Sequence, residues 1–477
     1  MKKIIFYIFI ALLMLPVFQM GFHIFDDSKL SGSYTPAKDI SISFEKWFSV
    51  EYQTKKETYI KENIGFRSKI ILIYNQLSYS LFNMANNPGG VVGKNNYLYL
   101  ESYIHNYTGE NFIGQKKIDR VSKQLKYLQE YFADHGVSMF TVFVPSKASF
   151  YSEYIPDRFK TFTQTNYSAY LHAFDSLNID YIDLNKYLIS LKKDSKHPLF
   201  SRNGLHWTTY GMGIAIDSVL KKVEQIRSVD LPDFSWEVPV PMKAENFTGD
   251  YDAENLMNLY FDLPRDSMPY PNFIFHDDST KQKPKTLVIS DSYYWRAYSS
   301  KIPHNEFSWG GFWYYFNTAR WMQNNKQTIK PIEDMDIEKL LLQQDVVILF
   351  ASQATLHLYP YKFDEKGYRI FMPKDKESLI GYYTDQLVFN NSDEMAEKAK
   401  KNNLSFDDQV NADANWLMRK YLEEHPNKET EIEKIITNIN KNPKWMAAIR
   451  EKAIKRNITY EEMLKRDAEY MYNKRKQ

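Results

Sequence analysis

Apolar positions set the frame of this chain from its first residues. Behind Lys2 and Lys3 the sequence carries no charge from Ile4 to Phe18, and it runs on through Gln19, Met20, Gly21, Phe22 and His23 without a small-residue cleavage pattern. Two lysines ahead of such a run stay on the cytoplasmic side, so everything after about residue 25 is expected outside the cytoplasmic membrane. The pattern favours an uncleaved signal anchor over a cleaved signal peptide at 1–25, although the run is short against the ~20 residues of a full span. From Ser43 to about Asn83 apolar residues recur at helical spacing, with Phe44, Trp47 and Phe48 early and Ile70, Ile71, Ile73 and Leu77 late. This predicts a helical entry region over 26–88.

A compact domain is expected to start at Val91–Leu100, VVGKNNYLYL, where Asn95 and Asn96 make a turn signal between apolar and aromatic flanks, as in a β-hairpin. Helical and strand periods then alternate. A helix from about Lys116 to His135 leads through Gly136 into VSMFTVFVP, a continuous apolar run of the kind that a strand buried on both faces requires. A helix near Tyr167 to Leu177, a short strand at Asp180 to Asp183, a helix to Leu191 and a helix from about Thr209 to Ile226 follow. Strands return at Lys285 to Ser290 and at DVVILF, Asp345 to Phe350, with a helix over Trp295 to Ser300 after the first. Such alternation predicts an α/β fold, a doubly wound parallel sheet with helices on both faces and reactive groups at the carboxyl ends of the strands. The domain is placed at 89–385, with an insertion at about 230–282; Pro232 to Thr280 is rich in Pro, Asp and aromatics, reads as irregular or β-ribbon, and carries no legible role. A charged helical region, 386–477, closes the chain, with Thr459 and Glu462 as a capping box before its last helix.

Composition narrows the chemistry. With no cysteine there is no thiol nucleophile, thiolate metal site or disulfide framework. Lys plus Arg number 61 against 59 Asp plus Glu, a net charge of +2 that argues for no nucleic-acid partner. Only 17 glycines occur and neither GxxxxGK[ST] nor GxGxxG is found, which sets nucleotide enzymes aside; no cofactor is expected. HExxH is missing too, so no metal is assigned, and His276 with Asp277 and Asp278 is the one grouping suited to a cation.

Reactive potential concentrates in LVISDSYYW, Leu287–Trp295, where a buried strand runs straight into Ser-Asp-Ser and a helix. A serine in that turn, Ser292, presents its hydroxyl to solvent beside backbone N–H groups able to stabilise an oxyanion, although Ser and Asp there also suit a plain N-cap. The matching base is His206 in NGLHWTTYGM, just ahead of a helix, with Trp207 placed to wall the imidazole from water and Thr208 and Thr209 available as caps.

These segments together resemble the alginate O-acetyltransferase family with an SGNH-hydrolase-like domain. The resemblance rests on VVGKNNYLYL with FVPSKASFYSEYIP, then NGLHWTTYG, then VISDSYYW, then DVVILFASQATL, in that order over about residues 40 to 380. It implies a Ser-His-Asp triad with Ser292 as nucleophile and His206 as base, in the permuted order in which the histidine comes first. Two positions depart from the family pattern: Gly204 stands where Asp-x-His-Trp would place the acid, and Ser290 where glycine is usual. A Ser-His dyad, a backbone carbonyl, or a carboxylate from Asp183, Asp252 or Asp291 would then orient the imidazole. Ser146, Lys147, Trp207 and Arg296 are the oxyanion or substrate candidates, and Trp309, Phe312, Trp313, Tyr314 and Tyr315 form an aromatic cluster able to stack on sugars or to pack a core. The family also implies a glycan acceptor, a membrane-bound O-acyltransferase as acetyl supplier, and an extracytoplasmic, periplasmic place held by the N-terminal anchor. Transfer of acetyl groups to an exported polysaccharide is the leading expectation. A carbohydrate acetylesterase with the same Ser and His, or an inactive glycan-binding scaffold, are the alternatives.

Overall fold

The computed structural model describes residues 2–26, 29–32, 37–159, 162–240, 248–276, 278–323, 326–425 and 428–475. Two compact units divide the chain, 1–371 and 372–477. The described strands are β1 (Gly90–Val92), β2 (Leu98–Leu100), β3 (Ser138–Val144), β4 (Tyr181–Asp183), β5 (Phe234–Glu237), β6 (Asn272–Phe275), β7 (Thr286–Ser290), β8 (Gly311–Tyr314), β9 (Thr318–Gln323), β10 (Lys326–Pro331) and β11 (Val346–Ser352). A seven-stranded sheet in the order β10-β9-β8-β7-β11-β3-β4 forms the centre of the first unit. Its five strands from β8 to β4 are parallel, while β9 and β10 turn back antiparallel at one edge.

The long apolar runs become the central strands because both faces are covered. In β3, Phe140, Val142 and Val144 enter one core while Met139 and Phe143 enter the other; in β11, Val346, Ile348 and Phe350 alternate likewise with Val347 and Leu349. The first core is closed by the helix Thr209–Arg227 through Met212, Ile216, Val219 and Val223, and the second by Gln115–Asp134 through Ile118, Val121, Leu125, Leu128 and Phe132. Both helices place these residues three or four apart, on one face. The expected α/β architecture is therefore observed, a mostly parallel sheet with helices around it, and the antiparallel edge is the part that pattern reading did not anticipate. There β10 is largely exposed and Lys- and Gln-bearing, so it lacks the apolar run that marks the inner strands.

β1 and β2 pair antiparallel, with Asn95 and Asn96 in left-handed backbone conformations that asparagine tolerates better than most residues. The segment 232–280 contributes the ribbon β5–β6 and the short helix Asp252–Met257. At the N-terminus, Lys2–Phe22 is a helix of 21 residues whose 18-residue core has a mean hydropathy of 2.3, long and apolar enough to cross a membrane, as an anchor or a signal sequence would be. The expected entry helix is three pieces, Phe44–Trp47, Val50–Asn63 and Arg67–Phe82, interrupted where Ser49 caps the second and where Phe66 adopts a left-handed conformation. The second unit consists of helices around two small cores, one on Leu387, Met395, Val410 and Ala414, the other on Ile435, Ile439, Ile449, Met463 and Ala468. Thr459 and Glu462 there bond reciprocally, each side chain accepting from the other's backbone N–H at 3.1 Å.

Candidate active site

β7 is five residues long and wholly buried, and the chain leaves its carboxyl end directly into Asp291 and Ser292. Asp291 Oδ1 accepts the Tyr293 N–H at 2.9 Å, and its Oδ2 accepts the hydroxyls of Ser352, the last residue of β11, and of Thr355 just after it. Asp291 thus clips the serine turn to the neighbouring strand. Ser292 Oγ stands 2.9 Å from His206 Nε2, and His206 Nδ1 stands 2.6 Å from Asp252 Oδ2. Because a carboxylate only accepts, Nδ1 carries the proton and donates it, which leaves Nε2 to accept from the serine hydroxyl. Asp252 Oδ1 is fixed in turn by the N–H groups of Leu205 at 2.6 Å and Ala253 at 2.9 Å. Burial alone would raise the pKa of Asp252; the facing His206, the Leu205 N–H and the Arg296 cation outweigh it and hold the carboxyl below its ordinary range.

The departure at Gly204 has a steric cause. A Cβ at this position would lie 2.5 Å from Ser201 Oγ and 2.8 Å from the Asp250 carbonyl oxygen. The insertion therefore occupies the space that a side chain on residue 204 needs, and two residues later it places the carboxylate of Asp252 against the imidazole. Ser201 Oγ joins the two segments, accepting from Gly204 N at 2.9 Å and donating to Asp250 O at 2.7 Å. Asn203 adds a second link, its Nδ2 donating to the buried Glu254 at 2.7 Å.

The remaining candidates are distributed differently. Asp183 caps the helix Leu184–Leu191 and accepts the Tyr167 hydroxyl at 2.7 Å, so it does not meet His206. Ser146 is a fully buried cap for Ser149 N. Lys147 is also fully buried, and its Nζ donates to the carbonyls of Arg202 and Gly204, bracing the loop that carries His206. Trp207 is a core residue, and the ring beside the imidazole is instead Tyr293, 4.8 Å away, whose hydroxyl donates to Leu205 O at 3.0 Å. Arg296 donates to Asp250 at 2.8 Å and to Thr209 at 3.1 Å. Phe312 and Trp313 are buried in β8 and belong to the two cores. Tyr315, at the carboxyl end of β8 and with a left-handed backbone conformation at φ 49°, brings its hydroxyl near Ser292. Burial and then Asp291 push that hydroxyl's pKa upward, so it remains a donor. Tyr293 and Tyr315 had no sequence signal beyond their nearness to the serine motif and the aromatic cluster. Ser290 has its side chain buried without a partner among the described residues, and its carbonyl accepts Tyr315 N at 2.9 Å.

A cavity of about 580 Å³ opens on these groups, lined by His206, Asp252, Ser292, Trp295, Arg296 and Phe273 among others. Phe273 comes from β6, so the insertion forms a wall of the cavity as well as holding the imidazole. Of the grouping His276, Asp277 and Asp278, Asp277 lies outside the described residues, while His276 Nε2 meets Ser235 Oγ at 3.1 Å and Asp278 accepts from Thr280.

Residues 91–250 match the family described as SGNH hydrolase-like domain, acetyltransferase AlgX. No curated protein matches the chain. Similar solved structures include the O-acetyltransferase domain of Pseudomonas putida AlgJ, at 16% identity and a TM-score of 0.38 over 59% of this chain and 98% of that one. Pseudomonas aeruginosa AlgX follows at 11% identity and 0.37 over 58% and 67%, and Bacillus cereus PatB1 at 12% and 0.31 over 51% and 91%. Likeness at that level bears no weight on the chemistry, whereas the matched stretch contains the whole histidine loop. Residues 91–250 are therefore similar to the SGNH hydrolase-like domain of acetyltransferase AlgX.

Proposed function

We propose that this protein is a serine O-acetyltransferase that acts outside the cytoplasmic membrane and places acetyl groups on hydroxyls of an exported polysaccharide. The observation that carries the reading is the unbroken relay Asp252–His206–Ser292, 2.6 Å and 2.9 Å between successive heavy atoms, opening on a cavity with an aromatic lining. Ser292 Oγ attacks the acetyl carbonyl as His206 Nε2 takes its proton; the carbonyl electrons return, the donor leaves with that proton, and acetyl-serine remains. A sugar hydroxyl then gives its proton to Nε2, attacks the same carbonyl carbon and departs as the acetyl ester, restoring Ser292. Asp252 holds the tautomer and stabilises the imidazolium, and the Tyr315 hydroxyl is a side-chain donor near Ser292 for the oxyanion. Trp295 and Phe273 offer faces on which a sugar can stack.

Export follows from reading Lys2–Phe22 as an anchor, which also keeps the domain beside a membrane-bound O-acyltransferase that supplies acetyl groups. The test is intact-mass analysis after incubation with an activated acetyl ester. A gain of about 42 Da, absent in Ser292→Ala, and its discharge faster with an oligosaccharide than with water, is expected for transfer. Discharge to water unaffected by any oligosaccharide would make the protein an esterase, and an adduct that persists in Ser292→Ala would refute the serine mechanism.

A further inference from the structure

The helix Arg67–Phe82 buries polar side chains while a stripe of apolar ones stands exposed. Asn75 and Ser78 face inward: Asn75 Nδ2 donates to Met257 O at 2.9 Å and Asn258 O at 3.2 Å, and its Oδ1 accepts from Asn86 at 3.2 Å. Ile70, Ile73, Tyr74, Leu77 and Leu81 face outward and are 47–68% exposed. Their spacing of three, four, seven and eleven residues from Ile70 aligns them in one stripe along the helix. A helix on a water-soluble domain points such a stripe at its core. In this helix the two buried positions are polar, with Ile71, Leu72 and Tyr79 half-buried beside them, while the five apolar side chains of the stripe are exposed, so the exposed apolar side is made for a medium other than water.

That medium is identified by what the helix joins. Gly65 N, at its entrance, donates to Pro16 O at 3.1 Å, and a Cβ at Gly65 would lie 2.4 Å from Gln19, so this approach needs glycine. The rings of Phe25 and Phe66 lie 5.8 Å apart, with Lys69 Nζ over both. The helix thus departs from the carboxyl end of Lys2–Phe22, the end an anchor leaves at the outer face of the membrane. Its sixteen residues include no acid, and its two cations, Arg67 and Lys69, sit beside that exit, a distribution suited to anionic headgroups. Phe261, 66% exposed, extends the apolar surface from the insertion, its N–H bonded to Gln76 Oε1 at 3.1 Å.

We propose that the stripe from Ile70 to Leu81 lies in the lipid interface of the bilayer that the N-terminal helix enters, as a second attachment that fixes the orientation of the unit. The proposal rests on the anchor reading of Lys2–Phe22 and is independent of acyl transfer. It has a consequence for the site: Met257, which accepts from Asn75, ends the helix that begins with Asp252, so a single short helix connects the lipid-facing element to the acid beside His206.

The absence of cysteine makes the test direct. Full-length protein bearing Ile73→Cys, Leu77→Cys or, as a control on the exposed side of Gln115–Asp134, Lys123→Cys is labelled with an environment-sensitive nitrobenzoxadiazole dye. Each variant is reconstituted into phosphatidylethanolamine–phosphatidylglycerol vesicles. Labels at 73 and 77 should emit at shorter wavelength than the label at 123, be quenched by doxyl groups on lipid chains and be sheltered from acrylamide, while the label at 123 shows the reverse. Vesicle-bound protein whose 73 and 77 labels are as open to acrylamide as the control, or shielded from both quenchers as in a protein contact, overturns the proposal. Protein that never associates with vesicles overturns the anchor reading and this proposal with it, whereas acetyl-serine formation would still stand.

Discussion

The rim of the sheet and the insertion beside it contribute to the same relay by different physical means. Ser292 is placed by a strand buried on both faces, by Asp291 tied to two hydroxyls at the end of β11, and by backbone pairing of β7 with β8 and β11. Asp252 is placed by a six-residue helix in a segment without long periodicity, held to the histidine loop by Ser201 and by Asn203 on Glu254, and to the helix after the serine by Arg296 on Asp250. The sheet provides a fixed location through many small packing contacts; the insertion provides a carboxylate through a few directed polar bonds. A fold can therefore hold its nucleophile and base on the scaffold while the acid comes from another segment, provided that the vacated position, here Gly204, is filled by the segment that replaces it.

The most damaging way to break the sheet side is Ser292→Ala, which removes the nucleophile and is expected to cost about 10⁴-fold or more in kcat with the fold intact. His206→Ala should cost a similar amount, and the double variant little more, because the two act as one unit. Near-wild-type turnover in either, measured with an acetyl ester, would remove the relay from the mechanism. On the insertion side, Asp252→Asn preserves shape but loses the charge that fixes the tautomer, and a loss of about 10²- to 10⁴-fold is expected. The sharper test adds Gly204→Asp to Asp252→Asn. If the acid has moved from 204 to the insertion, the double variant stays inactive and less stable, since its Cβ meets the Asp250 carbonyl; recovery of activity would show that position 204 can still serve. Smaller again is Tyr315→Phe, which removes one donor beside Ser292 and should lower kcat by about 10²-fold with KM little changed.

What was readable along the chain follows the same division. Runs such as VSMFTVFV and DVVILF announce β3 and β11 because a strand covered on both faces admits few polar residues, and Ser292 and His206 stood out because each interrupts such order at a turn. β8 was hidden by composition, since Phe312 and Trp313 suited a sugar platform or a core alike, and they pack the two cores. The insertion resisted pattern reading because its order comes from polar contacts distant in sequence: Asp252 could be named with Asp183 and Asp291 but not preferred. The deciding facts, the lack of room at Gly204 and the approach of Asp250, exist only in three dimensions. The C-terminal helices were legible as helices from their caps, but their two small cores were not visible in a pattern dominated by charge.

The smallest effect expected is also a comparison of sign. Asp252, on the insertion side, has its pKa held below the ordinary 3.8, so its share of stability is present above that value and is lost as pH falls through the folded value. Glu306, on the sheet side in the helix Ile302–Glu306, is fully buried with both carboxyl oxygens unpartnered among the described residues, and burial raises its pKa from 4.5 to about 7, with Lys283, Asp233 and Glu224 as the charges that act on it. Below 4.5 Glu306 is protonated whether the chain is folded or not and costs nothing by ionisation. Between 4.5 and about 7 the unfolded chain releases the proton while the folded one retains it, so stability falls with rising pH by at most about 1.4 kcal/mol per unit, then levels off. Glu306→Gln should abolish that descent. Its melting temperature relative to wild type should therefore rise between pH 4.5 and 8, whereas Asp252→Asn should change only the acid limb. Parallel pH profiles for wild type and Glu306→Gln would mean that Glu306 has water or a cation within reach, and the two sides of the site would then no longer differ in the sign of their response to pH.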